Sequence, residues 1–222
     1  MKYVLQAANT VTVLNAAGKL EPALADEIKT VVQEQVDLIG VDLSLTGVDV
    51  VVTTGYTGLA IEELAIGGFA PSAEFVVIAL DPENPEFVHW RSNIPGSIAH
   101  ELNHAARWHA PGYGRTMLEC LVSEGLAVAY EAAWQGAEPP YAHPGGDLQR
   151  FWEQAQPLLD RTDYNHARWF YGNGDLPQWT GYALGYELVQ RFVAAENMTV
   201  RESTNLPATA FLHHSRSAAA NA

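Results

Sequence analysis

The run His100-Glu101-Leu102-Asn103-His104 constrains this chain more than any other stretch. On an α-helix, residues four apart lie about 40° apart around the axis and roughly 6 Å apart along it. His100 and His104 therefore share one face, and both imidazoles can reach a single Zn²⁺. Glu101 is turned about 100° from His100, so it flanks such an ion without binding it. From there it can take a proton from a water molecule. Two neutral nitrogen ligands and a separate carboxylate base are the division of labour that metal-assisted hydrolysis needs.

The surroundings suit a buried site. Ser92 and Asn93 precede Pro95, a side-chain cap and a first-turn proline that predict a helix start near Ile94. Apolar Ile98, Ala99, Leu102, Ala105 and Ala106 surround the motif, so its polar side chains need partners. A third ligand is still required. A longer pattern would place glycine at 107 and histidine at 110, where this chain has Arg107 and Ala110. His109 is nine residues after His100, about half a turn out of phase. A carboxylate from a following helix remains, and Glu124 lies in Glu119-Cys120-Leu121-Val122-Ser123-Glu124-Gly125-Leu126-Ala127. The gap allows the first helix to end at 108–110, turn through Pro111-Gly112-Tyr113-Gly114, and continue as a second helix over about 116–134. His100, His104 and Glu124 with an open fourth position would make a catalytic site for one Zn²⁺ per chain.

On these motifs the chain resembles the gluzincins, metallopeptidases in which H-E-x-x-H is completed by a downstream glutamate. Its spacing is similar to that of the thermolysin group, whereas Ser123-Glu124-Gly125-Leu126-Ala127 looks like the corresponding run of the alanyl-aminopeptidase group. H-E-L-N-H, S-E-G-L-A and the later G-Y-A-L-G-Y together most resemble a bacterial family of predicted zinc-dependent proteases. The likeness spans about residues 70–215. It implies a zincin-like α+β fold, zinc, and a peptide or protein substrate. Val128 departs from the thermolysin group, which carries a carboxylate there behind a zinc histidine. The resemblance also makes the strand Phe75–Leu80 the edge strand that would hold an extended peptide.

The remaining sequence reads as α+β: a small N-terminal sheet, the active-site helix, then a mostly helical part. One domain over 1–222 is expected, with lobes at 1–110 and 111–215. Residues 3–14 predict a strand or hairpin, Pro22 to about Leu38 a helix stopped by Gly40, and Val48–Thr53 and Phe75–Leu80 strands. Gly55–Pro71 reads as a mobile loop over the cleft. Further helices are expected from the Asp147 cap to about Leu159, over Asp163–Phe170, and from a Thr180 cap over 181–196, with a disordered tail after Ser215. The balance of 12 basic and 26 acidic residues, a net charge of −14, disfavours nucleic acid and anionic membranes as partners. There is no apolar run of 18 residues, and Met1–Gln6 lacks the apolar core of a leader, which makes the cytoplasm the expected location. Cys120 is the only cysteine, so no intrachain disulfide forms.

The Thr180 helix holds a second set of candidates. Gly181 and Gly185 are four apart, as are Tyr182 and Tyr186. The glycines suit close helix contact. A phenol can donate to the oxyanion formed when water attacks a carbonyl, and Tyr182, then Tyr186, are the candidates. The alternative is that both rings only pack. Glu119 is about 140° from Glu124 and cannot face the same ion. Glu131, two turns away, is read as a solvated charge, or as a partner of Arg107, Arg115 or Arg168. His213-His214 is read as a chance pair. The function expected is zinc-dependent peptide hydrolysis. Hydrolysis of another amide or ester, or a non-catalytic binding protein keeping a zinc site, are the alternatives.

Overall fold

Val11, Val50, Val52, Val76 and Ile78 alternate with more exposed residues along three strands, the last of which ends buried on both faces at Ala79 and Leu80, and that pattern builds the sheet of the first half of the chain. In the computed structural model, which describes residues 8–143 and 145–214, the chain falls into two units, residues 1–108 and 109–222.

The first unit carries strands β1 (Thr10–Leu14), β2 (Asp49–Thr53), β3 (Ile66–Ser72) and β4 (Phe75–Leu80) in the order β1-β2-β4-β3. β1, β2 and β4 run parallel, with Val11, Val50 and Val76 in register, and β3 pairs antiparallel with β4. Parallel neighbours need a crossover, and helix α1 (Pro22–Leu43) supplies it between β1 and β2. Its buried stripe is Ile28, Val32, Val36 and Ile39. α1 runs past Gly40 and stops at Ser44, which adopts the left-handed conformation (φ 57°). Gly40 serves clearance instead: a Cβ there would stand 2.5 Å from the side-chain nitrogen of Asn9. That Asn9 amide ties the turn into β2, donating to the Leu45 carbonyl at 3.1 Å and accepting from the Val48 N–H at 3.0 Å.

Three sequence expectations are corrected here. β4 is an interior strand, and the edge beside it is β3, which grows out of the segment read as a loop, with β1 at the opposite edge. Glycines at 67 and 68 argued against a strand, yet both are required by close neighbours: a Cβ on Gly67 would stand 2.0 Å from the Leu59 carbonyl oxygen. Helix α2 (Trp90–His109) begins before Ile94, so Pro95 lies inside it. The cap and proline lie upstream, where Asn84 accepts from the Glu86 N–H and Pro85 opens a 3₁₀ turn over Pro85–His89 that leads into α2. Ser92 and Asn93 instead donate to the carbonyls of His89 (2.8 Å) and Leu64 (3.0 Å).

The second unit is helical: α3 (Met117–Gln135), α4 (Leu148–Ala155), α5 (His166–Phe170), α6 (Thr180–Glu196) and α7 (Val200–Ser203). Thr116 caps α3 in a capping box with Glu119, and Asp147 caps α4 as expected. Thr180 does not cap α6, because its hydroxyl donates to the Pro177 carbonyl at 2.7 Å and Trp179 takes the N-cap position with φ 69°. α3 and α6 meet backbone to backbone. A Cβ on Gly185 would stand 2.0 Å from the Leu121 carbonyl oxygen, and one on Gly125 would stand 2.2 Å from the Gly185 carbonyl. Gly181 clears the Phe170 ring in the same way, at 2.7 Å.

The N-terminal part of the first predicted strand (residues 3–7) and the tail after Ser215 lie outside the described residues, as do the side chains of His213 and His214. No helix among the described residues is long and apolar enough to cross a membrane.

Since nothing at the α3–α6 contact can move without moving backbone, Gly185→Ala is expected to destabilise the protein by about 1–3 kcal/mol, near the upper end of that range. The check is the midpoint shift in a urea unfolding curve. A midpoint equal to wild type would show that the helices separate at no cost.

Candidate metal and catalytic site

α2 presents its two histidines as their spacing requires. His100 and His104 are both buried, their rings are 4.9 Å apart and near perpendicular, and their Nε2 atoms face each other at 3.2 Å. Two facing imidazole nitrogens share one hydrogen or, with both lone pairs bare, face a cation. Zn–N bonds of about 2.0–2.1 Å in tetrahedral geometry hold neighbouring nitrogens roughly 3.3 Å apart. The observed separation fits that value.

Among the described residues, one group of three or more His, Cys, Asp and Glu side chains is close enough to hold a metal ion: His100, His104 and Glu124. All three are buried, and one ligand atom from each lies within 4.8 Å of the others. Two imidazoles and a carboxylate are a donor set suited to zinc.

Glu101 is buried on α2 and lies across the edge strand β3. A Cβ at Gly68 would stand 2.4 Å from its Cγ and 2.7 Å from its Oε1, so the missing side chain at 68 is the space the carboxylate occupies. β3 is fixed at both ends. Ile61 bridges to Ile66, and the Trp108 indole N–H donates to the Ala70 carbonyl at 2.7 Å. His109, at the end of α2, is exposed.

Glu124 sits in α3 with a partner the sequence reading did not find. The phenol of Tyr113, in the turn before α3, donates a short hydrogen bond to Glu124 Oε1, and the Ser123 hydroxyl donates to the Tyr113 carbonyl at 2.6 Å. Burial first, then the Glu124 charge, hold the Tyr113 hydroxyl well above its ordinary pKa, so it stays protonated and can donate. The Glu124 charge also acts on Cys120, Tyr164, His166 and Tyr171. Tyr164 contacts His166 Nδ1 at 3.0 Å, and burial pushes the His166 pKa down. A tyrosine between two glycines, ahead of the S-E-G-L-A run, was the one available signal for Tyr113.

Tyr182 is half-buried, with its ring 5.5 Å from each of Tyr141, Phe170 and Trp179, and it acts electrostatically on Tyr113. The Tyr186 hydroxyl donates to Glu138 at 2.7 Å, and its ring abuts His143. Arg168 forms a two-pronged pair with Asp175. Glu131 is not a solvated charge. It is buried, and it accepts from the Tyr141 hydroxyl and from the Gln135 amide. Glu119 serves the α3 cap, accepting from the Arg115 and Thr116 N–H groups at 2.7 and 2.8 Å. Thr116-Met117-Leu118-Glu119 carries the capping-box spacing, a signal readable from sequence.

Residues 24–213 match the family described as predicted Zn-dependent protease (DUF2268). One curated relative is the uncharacterized protein YjfC of Bacillus subtilis (strain 168), 26% identical over 161 residues. The match covers 64% of this chain and 52% of YjfC, so the chain spans about half the length of that relative. No solved structure matches the chain significantly.

The lone thiol gives a test of how closed this region is. Burial, then the charges of Glu124 and Glu119, push the Cys120 pKa up to about 11 against a lowering hydrogen bond with Tyr164. At pH 8 the thiolate is then about a thousandth of the total. Iodoacetamide at pH 8 is expected to leave the native protein unlabelled and to label it fully in denaturant, read by mass spectrometry. Rapid native labelling would mean that the face of α3 bearing Cys120 opens readily.

Proposed function

Because the chain belongs to the family described as predicted Zn-dependent protease, we propose that it is a zinc peptidase of the gluzincin type, acting on peptide or protein substrates. The observation that carries this reading is the buried set of three ligand atoms within 4.8 Å of one another, with Glu101 next to His100 on the same helix. His100, His104 and Glu124 would hold one Zn²⁺. When bound, zinc supplies Lewis-acid chemistry, polarising a carbonyl and making water more acidic.

The chain's own residues do the rest. Glu101 accepts a proton from the attacking water and later delivers it to the nitrogen of the leaving amine. Gly68 keeps the space in which that carboxylate lies. The edge of β3 beside Gly68 and Phe69, short of the Ala70 carbonyl that Trp108 holds, pairs with an extended substrate through main-chain hydrogen bonds, a mode of recognition that reads peptide rather than side chain. A phenol donates to the oxyanion of the tetrahedral intermediate. Tyr182 takes that role in preference to Tyr186, whose hydroxyl is already engaged by Glu138.

Purified without chelator, the protein is expected to carry about one zinc per chain, and His104→Ala or Glu124→Ala to lose most of it. Elemental analysis decides this, and full zinc retention in Glu124→Ala would remove that residue from the ligand set. Glu101→Gln keeps shape and metal but cannot take a proton, so cleavage of a peptide library should fall by about 10²–10⁴ with zinc content unchanged. Gly68→Ala should reproduce that pattern more weakly, by displacing the Glu101 carboxylate.

The tyrosines separate by kinetics. Tyr182→Phe should lower kcat by about 10²–10³ with little change in KM, zinc content or stability. Tyr186→Phe should leave kcat near wild type. The opposite result would assign the oxyanion role to Tyr186.

A further inference from the structure

We propose that Tyr113 is the positioning residue of Glu124: its phenol occupies Oε1 and leaves Oε2 as the one atom the carboxylate offers to a metal. This rests on the zinc-site reading above and adds to it a residue outside the ligand set.

The geometry of the turn supports it. Tyr113 lies between Gly112 (φ 96°) and Gly114 (φ 101°), both in a conformation that side chains oppose. Gly114 packs against the base of Glu119: a Cβ on it would stand 2.2 Å from the Glu119 Cβ. Glu119 in turn accepts from the N–H groups of Arg115 and Thr116, which moulds the turn onto the first turn of α3. Tyr113 is then gripped at both ends by consecutive residues of that helix. Ser123 holds its carbonyl at 2.6 Å, and Glu124 receives its hydroxyl.

The consequence is chemical. A glutamate has several rotatable bonds and two equivalent oxygens, so an unsupported carboxylate samples many positions and can bind an ion through both oxygens. A phenol donor on one oxygen removes that choice. The carboxylate becomes a single-oxygen ligand, which suits a four-coordinate zinc and disfavours the larger coordination numbers of hard cations. Outer partners of this kind typically account for about 10–100-fold in metal affinity.

The test uses the full-length protein stripped of metal. Zinc affinity is measured by competition with a chromophoric chelator for wild type, Tyr113→Phe and Tyr164→Phe, and each is also loaded with Co²⁺ for its visible spectrum. Tyr113→Phe keeps the ring and loses only the hydroxyl. Tyr164→Phe removes a nearby phenol that contacts His166. The expected result is zinc affinity about 10–100-fold weaker in Tyr113→Phe alone. Its Co²⁺ bands should weaken and shift as the freed oxygen raises the coordination number, while the metal-free protein still unfolds cooperatively, with its thermal midpoint lowered only by the few degrees that one lost buried hydrogen bond costs. Equal affinity and an unchanged Co²⁺ spectrum in Tyr113→Phe would overturn the assignment while leaving the zinc site intact. Loss of cooperative unfolding in metal-free Tyr113→Phe would make Tyr113 a fold residue and also overturn it. Failure of wild type to bind zinc would instead overturn the zinc reading itself, and this inference with it.

Discussion

Two imidazoles whose Nε2 atoms face each other at 3.2 Å inside a buried helix set a condition for everything around them. Nitrogen lone pairs aimed at one point repel, and without water the repulsion is only weakly screened. A shared hydrogen or a cation relieves it. The helix carrying the pair must also be closed to solvent on most sides, and α2 is buried at every residue from Gly96 to Arg107. A charge such as that of Glu101 is tolerated in such a place only where its oxygens find partners. The glycine at 68 belongs to the same condition, because any larger residue would take the place of the carboxylate.

In the second unit the polar load falls on one helix. The first two turns of α3 hold a capping carboxylate at 119, a thiol at 120, a hydroxyl at 123 and the carboxylate of the candidate metal group at 124. Each is given a separate partner: Glu119 the backbone of the preceding turn, Cys120 the Tyr164 hydroxyl, Ser123 the Tyr113 carbonyl and Glu124 the Tyr113 phenol. A helix so occupied needs a rigid support on another side, and Gly125 against Gly185 provides one with no flexible side chain between the two backbones.

The parts legible from sequence are those fixed by local periodicity. His100 and His104 followed from helical spacing, Asp147 from cap chemistry, and the Gly181–Gly185 pair from the unfavourable placement of glycine within a helix. The parts that were missed depend on neighbours distant in sequence. Gly67 and Gly68 lower strand propensity, so Gly55–Pro71 reads as a loop, yet both are strand residues because Leu59 and Glu101 need their space. Glu131 read as solvated because nothing local announced Tyr141 as its partner. The start of α2 was misplaced because Asn93 and Pro95 imitate a signal that Asn84 and Pro85 carry.

The edge strand β3 also bears on how this protein avoids its own kind. An open strand edge invites a second molecule to extend the sheet, and repeated addition leads to fibres. β3 holds several obstacles to that growth. Its register with β4 breaks between Phe69 and Ser72, Pro71 offers no N–H, and its Ala70 carbonyl is taken by the Trp108 indole. What remains is a stretch too short and too irregular to template a neighbour, though long enough for a few residues of loose chain. Substitutions that straighten β3, such as replacing Pro71 with a β-branched residue, would therefore act first on colloidal behaviour and only second on the stability of the monomer.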